Sequence, residues 1–406
     1  MNNTSNIVPV FLGADLNAYG FARAFHEEYG VKSYVFGKYP LGATSHSSIL
    51  TFTKADDLSS DEATVARLVA FAAAHEGCEL YLFGCTDEYA EMIIRNRKVL
   101  SEYYFCPCTD EKTAEMLESK ERFYEICDKY SIPHPLTLVF DRDSDFSVLN
   151  GGMGFDYPII IKPSRSSLYW KHPFPNMKKV YSAETPSEAH DILDAIFGSG
   201  YDDTVIVQDT IPGDDSGMFV LTSYSGTDGK VKKMALGHVL LEEHTPKGLG
   251  NHVAVITENH DSITEVLKNF LDDIGYVGFS NFDIKYDTRD GTFKVFEINL
   301  RQGRSNYYVT GCGQNLARTA VDDRHGLLTE TEICKKATLW YTVPKRIIYK
   351  YVKDTNLVRR AKRILSTSGA RSTLRYKPDL KNPLRLFYVV AHEIRYFAKY
   401  RKYPKR

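Results

Sequence analysis

Three oxygen-bearing side chains, Asp283, Glu297 and Asn299, are spaced as a divalent-metal site would need them. Residues 276–286 alternate and are rich in Phe, Val and Ile. Asp287, Asp290 and Gly291 supply turn chemistry, and residues 292–300 read as a return strand. A turn centred near residue 289 or 290 sets Asp283 across from Phe296 or Glu297, while Glu297 and Asn299, two apart on a strand, share a face. Carboxylates facing each other across a hairpin repel unless a cation lies between them. The donor set suits Mg²⁺, which takes a few carboxylates together with phosphate oxygens and water. Arg301 and Arg304 follow at once, with the fork geometry that grips phosphate or carboxylate.

Two upstream places add to this chemistry. Lys162 closes the apolar run Ile159, Ile160, Ile161. A lysine ending a buried strand must find an anion or lose its charge, and a phosphate would satisfy it. Residues 205–215 read VIVQDTIPGDD. Backbone leaving a buried strand at Gln208, Asp209 and Ile211 can offer N–H and C=O to a base edge, and Asp215 can accept ribose hydroxyls. His238, His244, His252 and Glu243 fall in the stretch 237–252, where Pro246, Gly248 and Gly250 predict a mobile loop able to carry a base.

The elements around these groups alternate in type. Strand-like runs at 7–12, 33–36 and 79–83, with helical stretches near 18–28 and 63–75, predict a small open α/β domain with a mostly parallel sheet. Gly13, Asn17 and Gly20 lie just beyond its first strand, where such sheets bind ligands, but the spacing is no dinucleotide fingerprint. One helix is expected over 111–130, stopped by Pro133 and Pro135, and buried strands over 136–140, 157–162 and 205–211.

The whole chain of 406 residues has room for two or three domains. Its net charge of −1 conceals an asymmetry: residues 345–406 hold 19 Lys and Arg against 3 acids, and the remainder is net −17. So basic a C-terminus calls for an anionic partner. The acidic body opposes broad nucleic-acid contact. An apolar stripe of Leu386, Val390, Ile394 and Phe397 within 382–406 predicts a helix that either lies in an anionic membrane interface or packs on the body. The start shows no secretion signal, no apolar run reaches the ~18 residues of a membrane span, and seven cysteines in such a chain predict reduced thiols and a cytoplasmic setting.

In this order the pieces resemble the ATP-grasp superfamily of carboxylate–amine ligases. The resemblance rests on Lys120 in SKERFYEICDKYSIPHP, Lys162 in YPIIIKPS, Gln208 to Ile211 with Asp215 in the PGDD turn, Asp283 in FSNFDIKYD, and Glu297, Asn299 and Arg301 in VFEINLRQGRSNY. It implies an α/β and α+β architecture: a Rossmann-like domain over 1–112, an ATP-grasp domain over 113–335 in halves of 113–200 and 201–335, and a basic helical segment over 336–406. It implies ATP bound between those halves by Lys120, Lys162, Gln208, Asp209, Ile211 and Asp215, Mg²⁺ on Asp283, Glu297 and Asn299, and catalysis by Arg301, Lys162 and Arg304. The reaction implied joins a small-molecule acid and amine through an acyl phosphate. A nucleotide-binding protein or a phosphotransferase without ligase activity is the alternative. Within the superfamily the layout looks most like the D-aspartate ligases that extend peptidoglycan precursors. The loop SRSSLYWKHPFPNMKKV departs from the family's glycine-rich phosphate cover, so Ser166, Ser167 and the cations Arg165, Lys171, Lys178 and Lys179 are expected there instead.

Overall fold

The computed structural model describes residues 6–404 apart from Lys247 and Ser368, without the side chains of Ser166 and Ser167, so the expectation for those two hydroxyls lies outside the described residues. The chain divides into two compact units: residues 1–111, 214–282 and 299–406 form one, and residues 112–213 and 283–298 the other.

The first unit opens with a four-stranded parallel sheet in the order Leu50–Lys54, Ser33–Gly37, Ile7–Leu12, Glu79–Gly84. Val10, Phe11 and Leu12 are fully buried, as a central strand covered on both faces requires. Gly13 leaves that strand at φ +103°, a conformation open to glycine. The chain then enters the helix Leu16–Tyr29, where the Asp15 carboxylate accepts from the Asn17 and Ala18 amides. The strands Ile7–Leu12, Ser33–Gly37 and Glu79–Gly84 and the helix Leu16–Tyr29 fall where the alternating pattern predicts, whereas the edge strand Leu50–Lys54 is an addition to it.

The larger sheet runs Thr292–Asn299, Gly278–Asp287, Met218–Ser225, Val231–Glu242, His252–Glu258, Leu339–Tyr341, Ala370–Ser372, with Glu332–Ile333 beside Val231–Glu242. Val231–Glu242 is buried at nearly every position. This corrects the expected loop: residues 237–242 belong to that strand, His252 opens the next, and only 243–251 connect them. The basic C-terminal region is helical over Lys345–Tyr351, Thr355–Ser366 and Pro383–Lys402, and it also gives the larger sheet two strands.

The second unit carries a four-stranded antiparallel sheet, Thr137–Phe140, Val205–Asp209, Ile159–Pro163, Tyr181–Ala183. Ile159, Ile161, Val205, Val207, Leu193 and Ile196 fill its core. The helix expected over 111–130 is two, Glu111–Glu118 and Lys120–Lys129, parted at Ser119, whose extended backbone and hydroxyl cap the second. Lys120 therefore stands in the first turn of a helix rather than mid-helix. The hairpin has its tip at 288–291, with Gly291 at φ +74°; its residues 283–298 belong to the second unit.

Candidate active site

Lys162 owes its position to strand alternation. Ile159 and Ile161 face the core, which turns Lys162 to the other side, paired with Ile206 in register. It is only 8% exposed. Its Nζ donates to the Tyr124 hydroxyl at 3.0 Å and to Gln208 Oε1 at 3.1 Å, both neutral oxygens. Burial lowers its pKa to about 8 against the opposing pull of Glu297, and Lys179 lowers it further. Tyr124 lies one turn beyond Lys120 on the same helix face and donates to the Phe296 carbonyl at 2.8 Å.

Glu297 is the focus of the charge. Lys120 Nζ stands 3.6 Å from its carboxylate. Burial alone would raise its pKa, but Lys120, Lys179, Lys162 and a hydrogen bond with Asp283 hold it down at about 2. The two carboxylates expected to share a cation are thus neighbours, as the hairpin argument requires. The three lysines around the hydrogen-bonded Glu297 and Asp283 leave positive charge for a polyphosphate. Among the described residues no group of three or more His, Cys, Asp or Glu forms a closed metal cage. Two carboxylates fit Mg²⁺, which completes its shell with phosphate oxygen and water.

The strand expected to meet the base is braced from the hairpin. Lys285 Nζ donates to the carbonyls of Ile211 at 2.7 Å and Gly213 at 3.0 Å. Arg289 binds Asp209 at 2.5 Å and Asp287 at 2.7 Å. Asp209, expected at the nucleotide, is thereby engaged by a guanidinium in this structure. A cavity of about 460 Å³ lies beside Asp209, Thr210, Tyr157 and Arg289, but Lys120, Lys162 and Glu297 do not line it.

Asn299, Arg301 and Arg304 lie in the first unit. Asn299 Nδ2 donates to the Asn281 carbonyl at 3.3 Å, and its Oδ1 accepts from Arg301 at 3.4 Å. Arg301 Nε is 2.7 Å from Asp87. Arg304 Nη1 is buried without a hydrogen-bond partner. Its positive charge, next to burial, depresses the neighbouring His252 to about 4. Burial raises the Asp15 carboxyl, and Arg304 and Arg301 both oppose that rise. The Arg304 guanidinium thus stands close to Asp15 and to the neutral imidazole of His252, with one buried N–H that has no acceptor.

The 301–306 loop is held by the first strand's successor. Asn17 Nδ2 donates to the Gln302 carbonyl at 2.8 Å, and Asn306 Nδ2 to Asn17 Oδ1 at 2.6 Å. A Cβ on Gly20 would come within 2.6 Å of Asn306 Oδ1. Asn17 and Gly20, expected near a ligand, instead shape the arginine loop.

Asp215 is buried, accepting from the Glu242 amide at 3.0 Å, with His244 at 3.7 Å. His238 is fixed between Glu258 at 2.9 Å and the Ser216 carbonyl at 2.6 Å, and stacks on Phe219. Glu243 pairs with Lys399 at 3.1 Å. Of the four cations expected in the glycine-free loop, Lys179 acts on Glu297, whereas Arg165 pairs with Asp203 at 2.5 Å. Sequence reasoning missed Tyr124, Lys285, Arg289, Asp15 and Asp87. Only Tyr124 left a signal, its four-residue spacing from Lys120.

No family model matches the chain. A D-aspartate ligase from Enterococcus faecium (strain Aus0004) is 37% identical over 417 residues, covering 98% of each chain. Among solved structures, phosphoribosylamine–glycine ligase of Thermotoga maritima superposes with a TM-score of 0.56 at 15% identity, covering 82% of this chain and 78% of that one. The biotin carboxylase domain of Hydrogenobacter thermophilus 2-oxoglutarate carboxylase, solved with MgADP and bicarbonate, gives 0.62 at 12% identity, covering 82% and 73%. These two likenesses are of fold.

Proposed function

The chain belongs to the D-aspartate ligase family of ATP-dependent carboxylate–amine ligases, and from that premise we propose that it joins D-aspartate to an amine of a peptidoglycan precursor. One D-aspartate carboxylate attacks the γ-phosphorus of ATP, giving an acyl phosphate and ADP. The amine then adds to the acyl carbon, and the tetrahedral intermediate collapses with loss of phosphate, leaving the amide. Such transfer depends on positioning and charge neutralisation. Lys120 and Lys162 hold the phosphates, Gln208, Asp209 and Ile211 face the base, and Asp215 takes the ribose. Asp283, Glu297 and Asn299 hold Mg²⁺, which supplies Lewis acidity toward the phosphoryl oxygens. Arg301 meets the charge that develops on the transferring group, and Arg304 with Ser305 takes the carboxylate that is not activated.

The observation that carries this reading is the set of three lysines around Glu297 and its neighbour Asp283. The unpartnered Arg304 Nη1 supports a substrate with a second carboxylate. Free thiols at all seven cysteines support a cytoplasmic enzyme, and the basic C-terminal segment supports a site of action against the inner face of the membrane. No described helix is long and apolar enough to cross a bilayer. ADP release is expected with D-aspartate, Mg²⁺ and a precursor carrying a free side-chain amine, together with a product heavier by one aspartyl residue. ADP release with no amide product would instead identify a phosphotransferase.

A further inference from the structure

Six of the sixteen large apolar side chains left exposed among the described residues lie on one helix, Pro383–Lys402. Leu384, Leu386, Phe387, Val390, Ile394 and Phe397 are between 40% and 74% exposed. At about 100° per residue they occupy one side of the helix, with Ala391 and Ala398 between them. The opposite side is the one that packs. Arg385, Val389, Tyr396 and Tyr400 are buried there.

The packed side is fastened by polar groups at both ends. Arg385 Nε donates to Asp379 at 2.9 Å, with both side chains fully buried, and Nη1 donates to the Ser45 carbonyl at 3.0 Å. The Tyr400 hydroxyl donates to the Glu242 carbonyl, and His244 meets the Tyr403 carbonyl at 3.1 Å. The helix is therefore held in place without its apolar stripe, which remains available for another surface.

Charge selects that surface. Lys381, Arg395, Arg401 and Lys402 stand exposed around the stripe. The three acids of residues 345–406 are all committed: Asp379 to Arg385, Glu393 to Arg375 at 2.5 Å, and Asp354 to capping the helix Thr355–Ser366. The outward field of this segment is consequently cationic. Two copies of it would repel across a twofold axis, whereas an anionic lipid surface complements both its charge and its apolar face. We infer that the helix Pro383–Lys402 lies in an anionic membrane interface through Leu386, Phe387, Val390, Ile394 and Phe397, docking the protein peripherally. This deepens the membrane-side location proposed above and rests on it, while standing apart from the ligase chemistry.

The test uses full-length protein with vesicles of phosphatidylcholine alone or mixed with phosphatidylglycerol, followed by sedimentation. Wild-type protein should pellet with the mixed vesicles, about tenfold less with phosphatidylcholine alone, and less again at about 0.5 M salt. A double variant, Phe387→Asp with Ile394→Asp, changes two exposed positions, so its thermal melt and ADP release should match wild type while its pelleting falls about tenfold. Equal recovery of wild type and variant, or none of either, overturns the inference. So does a wild-type dimer in gel filtration that the double variant abolishes, because that assigns the stripe to a second copy. Loss of ligase activity in wild-type protein would bear on the proposed reaction alone.

Discussion

Lys162 is charged against its surroundings: its ammonium is buried, its two hydrogen-bond partners are neutral, and its pKa drops to about 8. A bound triphosphate would restore the ordinary lysine value, since an opposite charge favours the ammonium. The sign follows directly. Below pH 8 the free protein already carries the proton, whereas above it binding must draw one from solution. Calorimetry at pH 8.5 in buffers of differing ionisation enthalpy should therefore show proton uptake on ATP binding that is absent at pH 6.5. Equal uptake at the two pH values would contradict the assignment. Glu297→Gln removes the charge that holds Lys162 protonated, so the onset of uptake should move to lower pH. The same variant should raise the Mg²⁺ requirement and lower kcat/KM on the order of 10²-fold, the scale of losing one electrostatic partner at a reacting group. An unchanged Mg²⁺ dependence would count against the metal site. At this scale Lys162 and Glu297 were legible because strand alternation forces their placement. Arg289 was not, because its partner Asp209 lies 80 residues away in sequence.

The elements that carry these residues were legible where pattern and punctuation agree. The strand Ile7–Leu12 and the hairpin Gly278–Asp287 with Thr292–Asn299 follow alternation and turn residues to within two positions. The helix break at Ser119 left no Gly or Pro to announce it. It is made by a local cap, the Ser119 hydroxyl accepting from the Arg122 amide, and by one tertiary bond, the Ser164 hydroxyl accepting from the Glu121 amide. Part of the strand Val231–Glu242 reads as loop in the sequence because it is buried along both faces and so shows no alternation, and because Gly248 and Gly250 lie just beyond it. Ser119→Ala should cost about 1 kcal/mol in a denaturant melt. Because Lys120 is the first residue of the helix that Ser119 caps, the variant should also raise KM for ATP more than it lowers kcat. A fall in kcat with KM unchanged would show that the cap does not position Lys120.

For the molecule as a whole, charge asymmetry was legible but its structural meaning was not. The basic C-terminal region is woven into the fold through the strands Leu339–Tyr341 and Ala370–Ser372 and through Arg385, whose partner Asp379 also accepts from Tyr19 and from the Ser48 amide. Nothing local in the sequence ties Tyr19 to Asp379 across 360 positions. Arg385→Ala should destabilise the protein by about 3–5 kcal/mol, since it strands a buried carboxylate. A chain ending at residue 381 keeps Asp379 without its arginine and should be recovered folded in far lower yield than full-length protein. A melt of Arg385→Ala that coincides with wild type would refute this anchoring.

Amide formation through an acyl phosphate of D-aspartate is open to one direct measurement. D-aspartate labelled with ¹⁸O in its carboxylates is turned over with ATP, Mg²⁺ and the precursor amine, and the released phosphate is analysed by mass spectrometry. One labelled oxygen is expected in each phosphate released, carried over from the carboxylate that attacked phosphorus. Unlabelled phosphate accompanying labelled amide would contradict it.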